Sequence, residues 1–175
     1  MTWQVNIKIG IKLNHWLKDK GSLSKKLINT MSFKIKNLKV RHIKVFNDEK
    51  VFFKKENTRD FFIREVLIFS NKLPVIYART VIPKKYLRGF WGRVKRLKNT
   101  PLSEIIFNKK CILRSDFVFK KLSDNDVLRK RLNAYKIYES GTITARKSAF
   151  NHKGQKILLT EVFLSSIEGI RILKK

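Results

Sequence analysis

Apolar and polar positions alternate most clearly in two runs near the C-terminal end of the chain. The first run reads GTITARKSAF and the second reads QKILLTEVFL, with His152, Lys153 and Gly154 between them. A period of two is typical of a strand with one buried face, and a short connection containing glycine joins antiparallel neighbours. The pattern therefore predicts a β-hairpin.

A second pair of runs has the same character. FFIREVLIF covers residues 61–69 and VIYARTVIP covers 75–83, and both are rich in β-branched and aromatic side chains. The turn residues Ser70, Asn71 and Lys72 separate them, which predicts another antiparallel hairpin. Apolar residues among lysines and arginines predict further strands over 33–45 and 111–121.

Helical periodicity occurs in shorter segments between the strands. Ser22 is a plausible N-cap for a helix whose inward residues would be Leu23, Leu27, Ile28 and Met31. Residues 124–134 predict a second helix, with Val127, Leu128 and Leu132 inward.

Two further helical segments lie between the hairpins. One covers residues 83–98. In the other, Thr100 is the predicted N-cap, Pro101 the first helical residue and Glu104 the partner in a capping box. Because the strand pairs are joined by tight turns, we expect an α+β fold, an antiparallel sheet with flanking helices, over a doubly wound parallel sheet.

Composition narrows the class of protein. The chain has 175 residues, a net charge of +28 and a hydrophobic fraction of 43%. That apolar content excludes a disordered basic tail, and the length predicts one domain over residues 1–175. The single cysteine, Cys111, cannot form an internal disulfide. No run approaches the about 20 apolar residues of a membrane span, and no secretory signal is evident, so we expect a cytoplasmic monomer.

The positive charge has several possible meanings. It can be a nucleic-acid footprint, an attraction to a membrane surface, a field for small anions, or a compositional bias, because the lysines are scattered along the chain. In residues 90–98, FWGRVKRLK, aromatic and basic residues interleave as in nucleic-acid-binding segments. The alternative is that Trp91 packs inward while the basic side chains face water.

Motifs for metals and nucleotides are absent from the sequence. There is no GxxxxGK[ST] loop and no GxGxxG after a strand. The three histidines, His15, His42 and His152, lack the spacing of metal ligands. We therefore expect no cofactor and no metal, and surface or loop roles for the histidines.

Charged residues inside apolar strands are the more informative signal. Arg64, Arg79, Arg146 and Glu161 all lie within runs that otherwise predict buried strands. A buried charge is costly unless it is paired or bound to a ligand. The sequence leaves two alternatives: internal ion pairs, such as Glu161 with Arg79 or Arg146, or a cavity lined for an anion.

Six blocks, in order, resemble one known family. They are SLSKKL, REVLI, ARTVIP, TPLSEIIF, ARKSAF and LLTEVFL, and together they resemble the chorismate pyruvate-lyases. The resemblance covers residues 16–164 and leaves a basic C-terminal tail over 165–175. It implies an antiparallel sheet whose flanking helices enclose a buried ligand pocket. It also implies conversion of chorismate to 4-hydroxybenzoate and pyruvate without a cofactor, the first committed step of ubiquinone synthesis.

The resemblance also implies roles for individual residues. Arg64 matches the arginine that grips the ring carboxylate, and Glu161 matches the glutamate near the ring hydroxyl and the departing ether oxygen. Both would be catalytic residues. Leu23 and Leu102 fall at positions that contact the ligand through apolar groups or the backbone.

The resemblance also concerns two further arginines. Arg79 matches a second arginine that lines the pocket, and Arg146 extends the set. The sequence departs from the family where Ser103 replaces a common glycine, and residues 109–140 are longer than usual. The small-molecule partner that the resemblance implies is the substrate chorismate.

Other classes of protein remain as alternatives. The same fold resembles the effector-binding domain of some transcription regulators, so a non-catalytic small-anion-binding domain is the first alternative. The segment before the first predicted strand leaves no room for a helix-turn-helix. A basic nucleic-acid-binding protein is the second alternative, although we expect no obligate nucleic acid. The basic surface could also lie near a membrane, where a prenyltransferase would take the product.

Overall fold

The computed structural model describes residues 2–28, 32–38, 44–107 and 111–170. Its centre is a seven-stranded antiparallel sheet. The strands are β1 (Phe33–Asn37), β2 (Phe61–Ser70), β3 (Leu73–Pro83), β4 (Ile112–Arg114), β5 (Val118–Leu122), β6 (Ile143–His152) and β7 (Gln155–Phe163). Their order is β1-β2-β3-β7-β6-β4, and β5 pairs with the same strand, β6, as β4 does. The expected α+β class is confirmed.

Both predicted hairpins are present, and each turns through two residues. Asn71 and Lys72, with φ of 50° and 66°, connect β2 to β3. Lys153 and Gly154, with φ of 49° and 83°, connect β6 to β7. Two consecutive residues with positive φ match the right-handed twist of the strands that they join.

Short helices cover both faces of the sheet. The α-helices are α1 (Ile11–Leu17), α2 (Leu23–Ile28), α3 (Asn47–Phe52), α4 (Ser103–Ile106) and α5 (Val127–Ala134), and 3₁₀ helices cover Lys54–Glu56, Lys84–Arg88, Phe90–Arg96 and Ser165–Gly169. On one face, α1, α2, α4 and the Phe90–Arg96 segment pack against the sheet in the largest apolar cluster. On the other face, α5 and the end of α3 pack in two smaller clusters.

The predicted start of α2 is confirmed. The Ser22 hydroxyl accepts a hydrogen bond from the Lys25 amide at 3.1 Å, and Leu23 and Leu27 are buried. Ile28 is 51% exposed, so its predicted inward position is wrong. Met31 lies outside the described residues.

In α5 the cap is Asp126, whose carboxylate accepts from the Leu128 amide at 2.9 Å. Leu128 and Leu132 are buried as predicted, whereas Val127 is 48% exposed.

Two predicted boundaries are wrong. The helix expected to begin after Thr100 begins only at Ser103, and the Thr100 carbonyl accepts a hydrogen bond from Arg64 instead. The strand predicted over 33–45 ends at Asn37, and residues 44–46 lead directly into α3. Val40, His42 and Ile43 lie outside the described residues.

The basic aromatic segment and the start of the tail both pack inward. Trp91 is fully buried and its indole N–H donates to the Gln155 carbonyl at 3.0 Å, which confirms the packing alternative. In the tail, Ile167 is fully buried within Ser165–Gly169. Among the described residues, the structure contains no helix with the length and apolar character needed to cross a membrane.

Candidate active site

A cavity lies between the sheet and the two short helices α2 and α4. Leu23, at the start of α2, and Leu102, just before α4, close it from the outside. Arg64 of β2, Glu161 of β7 and Arg146 of β6 line it from the sheet. The structure therefore brings together five of the six residues that the sequence singled out.

Arg64 is a buried cation with no anionic partner in the part of the chain that the structure describes. Its side chain leaves β2 toward the cavity, and one terminal nitrogen donates to the carbonyls of Lys98 at 3.1 Å and Thr100 at 2.7 Å. Its Nε is buried and has no hydrogen-bond partner within residues 2–28, 32–38, 44–107 and 111–170. Among the described residues no carboxylate forms an ion pair with Arg64, and burial lowers the pKa of Arg64 to about 10. A buried guanidinium in this condition favours an incoming carboxylate, because it would supply both charge and acceptor atoms.

Glu161 and Arg146 stand directly opposite each other on β7 and β6. The Arg146 Nε donates to Glu161 Oε2 at 2.6 Å. A second nitrogen of Arg146 donates to the carbonyls of Trp16, Leu17 and Asp19, at 3.3, 3.0 and 2.8 Å. Arg146 thus joins the C-terminal end of α1 to the sheet and fixes the glutamate. The ion-pair alternative is confirmed for Glu161 and Arg146, and both residues of this pair also line the cavity.

Glu161 keeps one oxygen available. Both of its arginine contacts involve Oε2, and no described residue donates a hydrogen bond to Oε1. Glu161 Oε1 and Arg64, neither of which is paired with an opposite charge from a described residue, thus line the same cavity.

Arg114 also lines the cavity, and it was not singled out from the sequence. Its Nε donates to Ser148 Oγ at 3.0 Å and one terminal nitrogen donates to the Lys20 carbonyl at 3.2 Å. The other terminal nitrogen lies 3.7 Å from Glu161 Oε2. Burial lowers the pKa of Arg114 to about 10. The three-residue strand β4 is too short for periodicity to reveal which way this side chain points.

Arg79 does not line the cavity, which corrects the expectation drawn from the resemblance. It lies on the opposite face of the sheet, fully buried, with Nε 2.7 Å from Glu49 Oε1 and a terminal nitrogen 2.5 Å from Glu65 Oε1. The cause is a register shift between Ile68 and Phe69 of β2. Arg64 is consequently opposite Thr80, and Arg79 is opposite Glu65.

The charged side chains around Arg79 form ion pairs with one another. Glu65 also accepts from Tyr77 at 2.6 Å, from Arg131 at 2.7 Å and from Tyr135. Burial tends to raise the pKa of Glu65, but these hydrogen bonds and the charge of Arg79 bring it below its ordinary value. Two arginines face two glutamates, Glu49 and Glu65, so this group needs no ligand.

A family model described as chorismate lyase matches residues 1–169. The chain belongs to the chorismate lyase family. It is 32% identical over 154 residues to a probable chorismate pyruvate-lyase of Nitrosospira multiformis, covering 87% of this chain and 86% of the relative. A protein of the same name from Nitrosomonas europaea is 31% identical over 162 residues, covering 91% and 90%.

Solved structures show where else the chorismate lyase fold occurs. The C-terminal domain of a histidine utilization repressor from Pseudomonas syringae superposes with a TM-score of 0.56 at 10% identity, covering 82% of this chain and 97% of that domain. A GntR-family regulator from Bacillus cereus gives 0.53 at 12% identity, covering 77% and 92%. At such identities the likeness concerns the fold alone.

Within the described parts of this chorismate lyase family member, no group of histidine, cysteine and acidic side chains is arranged to hold a metal ion. His15 lies in α1, and His152 stacks on Phe90 with ring centroids 4.1 Å apart. His42 falls outside the described residues.

Proposed function

We propose that this chain converts chorismate to 4-hydroxybenzoate and pyruvate. The observation that carries the proposal is that the unpaired Arg64 and the free oxygen of Glu161 line one cavity. The names of the relatives from Nitrosospira and Nitrosomonas support the same reaction.

The reaction balances without a co-reactant. The bond between the ring and the ether oxygen breaks, and the neighbouring ring carbon, which bears the hydroxyl, loses its hydrogen as a proton. The electron pair of that carbon–hydrogen bond forms the third double bond of the aromatic ring. The leaving enolpyruvate takes up one proton on its methylene carbon and becomes pyruvate.

The protein's part in this step is positioning and electrostatics. Aromatisation supplies a large driving force, so the barrier depends on holding the substrate with the reacting bonds oriented. Arg64 holds the ring carboxylate in our proposal. Glu161 lies at the other end of the ring, where it contacts the hydroxyl and the departing ether oxygen.

The closing segments exclude water from the reacting groups. Leu23 and Leu102 are 4% and 8% exposed, so both are already packed over the cavity. Apolar side chains over the ring strengthen the charge interactions beneath them, because they lower the local dielectric constant. The Ser103 that replaces a common glycine is buried beside Leu102 and is compatible with the closed arrangement.

The test is to incubate the chain with chorismate and to follow 4-hydroxybenzoate and pyruvate together. We expect equimolar release of both. Glu161→Gln and Arg64→Ala are expected to lower kcat/KM by about a hundredfold or more, as for loss of a charged group in a catalytic site. The exposed Arg96→Ala is the matched control for loss of one positive charge. Near-full product formation by both site variants would exclude these roles.

The alternative is a small-anion-binding domain without catalysis. The fold that the chain shares with regulator domains favours this alternative. One of these is the ligand-binding domain of a GntR-family regulator from Bordetella bronchiseptica, which superposes with a TM-score of 0.53 at 9% identity. Saturable chorismate binding with no release of pyruvate would support this alternative.

A further inference from the structure

The charges that line the cavity exceed what one carboxylate requires. The charged lining residues are Arg64, Arg114, Arg146 and Glu161, so three positive charges face one negative charge and the net charge is +2. The proposed product has a single carboxylate. An excess of two positive charges in a partly desolvated cavity favours a dianion over a monoanion.

The three arginines differ in how many of their side-chain nitrogens already form hydrogen bonds within the protein. Arg146 is occupied, because its Nε binds Glu161 and another nitrogen binds three carbonyls. Arg114 has one terminal nitrogen without a hydrogen bond to any described residue, and its ionic contact with Glu161 is long, at 3.7 Å. Arg114 and Arg64 therefore carry the uncompensated charge.

The sheet register sets the distance between these two cations. Arg64 is opposite Thr80, Thr80 is opposite Leu159, and Leu159 is opposite Ser148, to which the Arg114 Nε is bonded. This row crosses three strand spacings, about 14 Å between the outer backbones. Arg64 lies at the β2 end of this row, and Arg114 is hydrogen-bonded to Ser148 at the β6 end.

Glu161 lies between the two ends. It belongs to β7, two strands from Arg64 and one strand from Ser148, and it points to the same face as Leu159. An elongated substrate with a carboxylate at each end would thus place its middle beside the glutamate.

We propose that Arg114 binds the second carboxylate of the substrate, the one on the enolpyruvyl group. The proposal rests on the function proposed above. Pyruvate carries that carboxylate away after the carbon–oxygen bond breaks, so Arg114 contacts the substrate and one product but not the aromatic product. Arg64 contacts both the substrate and 4-hydroxybenzoate. Arg114 therefore contributes to the affinity for chorismate but not to the affinity for 4-hydroxybenzoate, whereas Arg64 contributes to both.

The experiment compares three variants in two assays. The variants are Arg114→Met, Arg64→Met and the exposed Arg96→Met, and the assays are chorismate kinetics and 4-hydroxybenzoate binding by calorimetry. For Arg114→Met we expect KM for chorismate to rise about ten- to a hundredfold, as for loss of a hydrogen bond between charged groups, while the Kd for 4-hydroxybenzoate changes less than about twofold. Arg64→Met is expected to weaken both, and Arg96→Met neither.

Ser148→Ala provides a milder variant that keeps the charge of Arg114 but removes its Nε anchor. It is expected to raise KM severalfold and to leave 4-hydroxybenzoate binding unchanged, so it serves even if Arg114→Met does not fold. An unchanged KM in the folded Arg114 or Ser148 variants overturns the proposal, as does an equal loss of affinity for both ligands.

Failure of the proposed function gives a different result. In that case the wild type binds chorismate but releases no pyruvate, and the same comparison is made with binding constants for chorismate in place of KM. A selective loss of chorismate affinity in Arg114→Met would still support the carboxylate subsite.

Discussion

Arg64 and Glu65 are consecutive residues of β2 whose side chains lie on opposite faces of the sheet. Arg64 enters the cavity, where no described carboxylate pairs with it. Glu65 is fully buried on the other face and accepts hydrogen bonds from Arg79 at 2.5 Å and Arg131 at 2.7 Å. On one strand, Arg64 has no carboxylate partner among the described residues, whereas the charge of the next residue, Glu65, is neutralised by two arginines. Substitutions on the two faces should have different consequences.

Arg79→Met tests this difference on the closed face. It leaves Glu49 and Glu65 buried with fewer partners, and we expect the free energy of unfolding to fall by about 3–5 kcal/mol. Urea denaturation followed by circular dichroism measures the change. The exposed Arg59→Met should have an effect within about 0.5 kcal/mol.

The ligand assay distinguishes stability from binding. Under conditions in which Arg79→Met remains folded, its affinity for 4-hydroxybenzoate should match that of the wild type within about twofold. A large loss of affinity with little loss of stability would show that Arg79 acts on the ligand after all.

The register of one hairpin explains why Arg79 does not line the cavity with Arg64, as the resemblance implied. Continuing the pairing of Ser70 with Leu73 along the hairpin would put Arg64 opposite Arg79, on the same face. The shift between Ile68 and Phe69 moves the pairing by one residue, so Arg79 faces Glu65. The unpaired residue is Val75 of β3, because Phe69 pairs with Pro74 and Ile68 pairs with Ile76. A bulge reverses the face of every later residue relative to the partner strand, and no composition pattern in VIYARTVIP marks its position.

The long strands were predictable because their alternation and their turns agree. Among the short helices, α1 and α3 were not predicted. α1 begins after Gly10 without a side-chain cap and has no acidic residue in its first turn, so it lacks the usual N-terminal signals. α3 is six residues long, and its Glu49 is buried against Arg79 by tertiary packing. Arg114 was missed for a similar reason, because tertiary hydrogen bonds to Ser148 and to the Lys20 carbonyl hold its side chain at the cavity.

Asp48 is expected to contribute stability that depends on pH. Burial tends to raise its pKa, but Lys147 and a 2.7 Å hydrogen bond from the Trp3 indole bring the pKa below the ordinary value of 3.8. The folded state therefore favours the ionised carboxylate. This contribution is fully present above about pH 4 and is lost as the pH falls through the lowered folded-state pKa.

Asp48→Asn is the variant that checks this expectation, because an asparagine oxygen can still accept from Trp3. The difference in unfolding free energy between wild type and variant should be largest near pH 6 and should shrink steadily toward pH 3. A difference that stays constant over this range would mean that the ionisation of Asp48 does not contribute.

Trp91 should matter for folding and not for nucleic-acid binding. Its ring is fully buried, so Trp91→Ala is expected to cost about 3–5 kcal/mol of stability. The neighbouring Arg93 and Lys95 are exposed, and their alanine variants should stay within about 0.5 kcal/mol of wild type. Thermal denaturation measures both. Salt-sensitive retention on a DNA column that falls with Trp91→Phe would instead favour a stacking role.

Arg64 also supports one of the segments that close the cavity. Its terminal nitrogen donates to the carbonyls of Lys98 and Thr100, and Lys98 has a φ of 42°, in the left-handed region. A turn in that conformation costs free energy unless its surroundings hold it. The two hydrogen bonds supply that support, and they connect β2 to the residues just before Leu102.

Arg64→Lys is therefore expected to loosen this closing segment as well as to weaken ligand binding. An ammonium group keeps the charge, but it cannot reproduce the planar geometry with which the guanidinium donates to both carbonyls and to a ligand. Hydrogen–deuterium exchange should become faster across residues 98–107 and stay unchanged in β6 and β7. In the wild type, 4-hydroxybenzoate should slow exchange across 98–107, and this protection should be largely lost in Arg64→Lys. Equal protection in both proteins would show that the segment closes independently of Arg64.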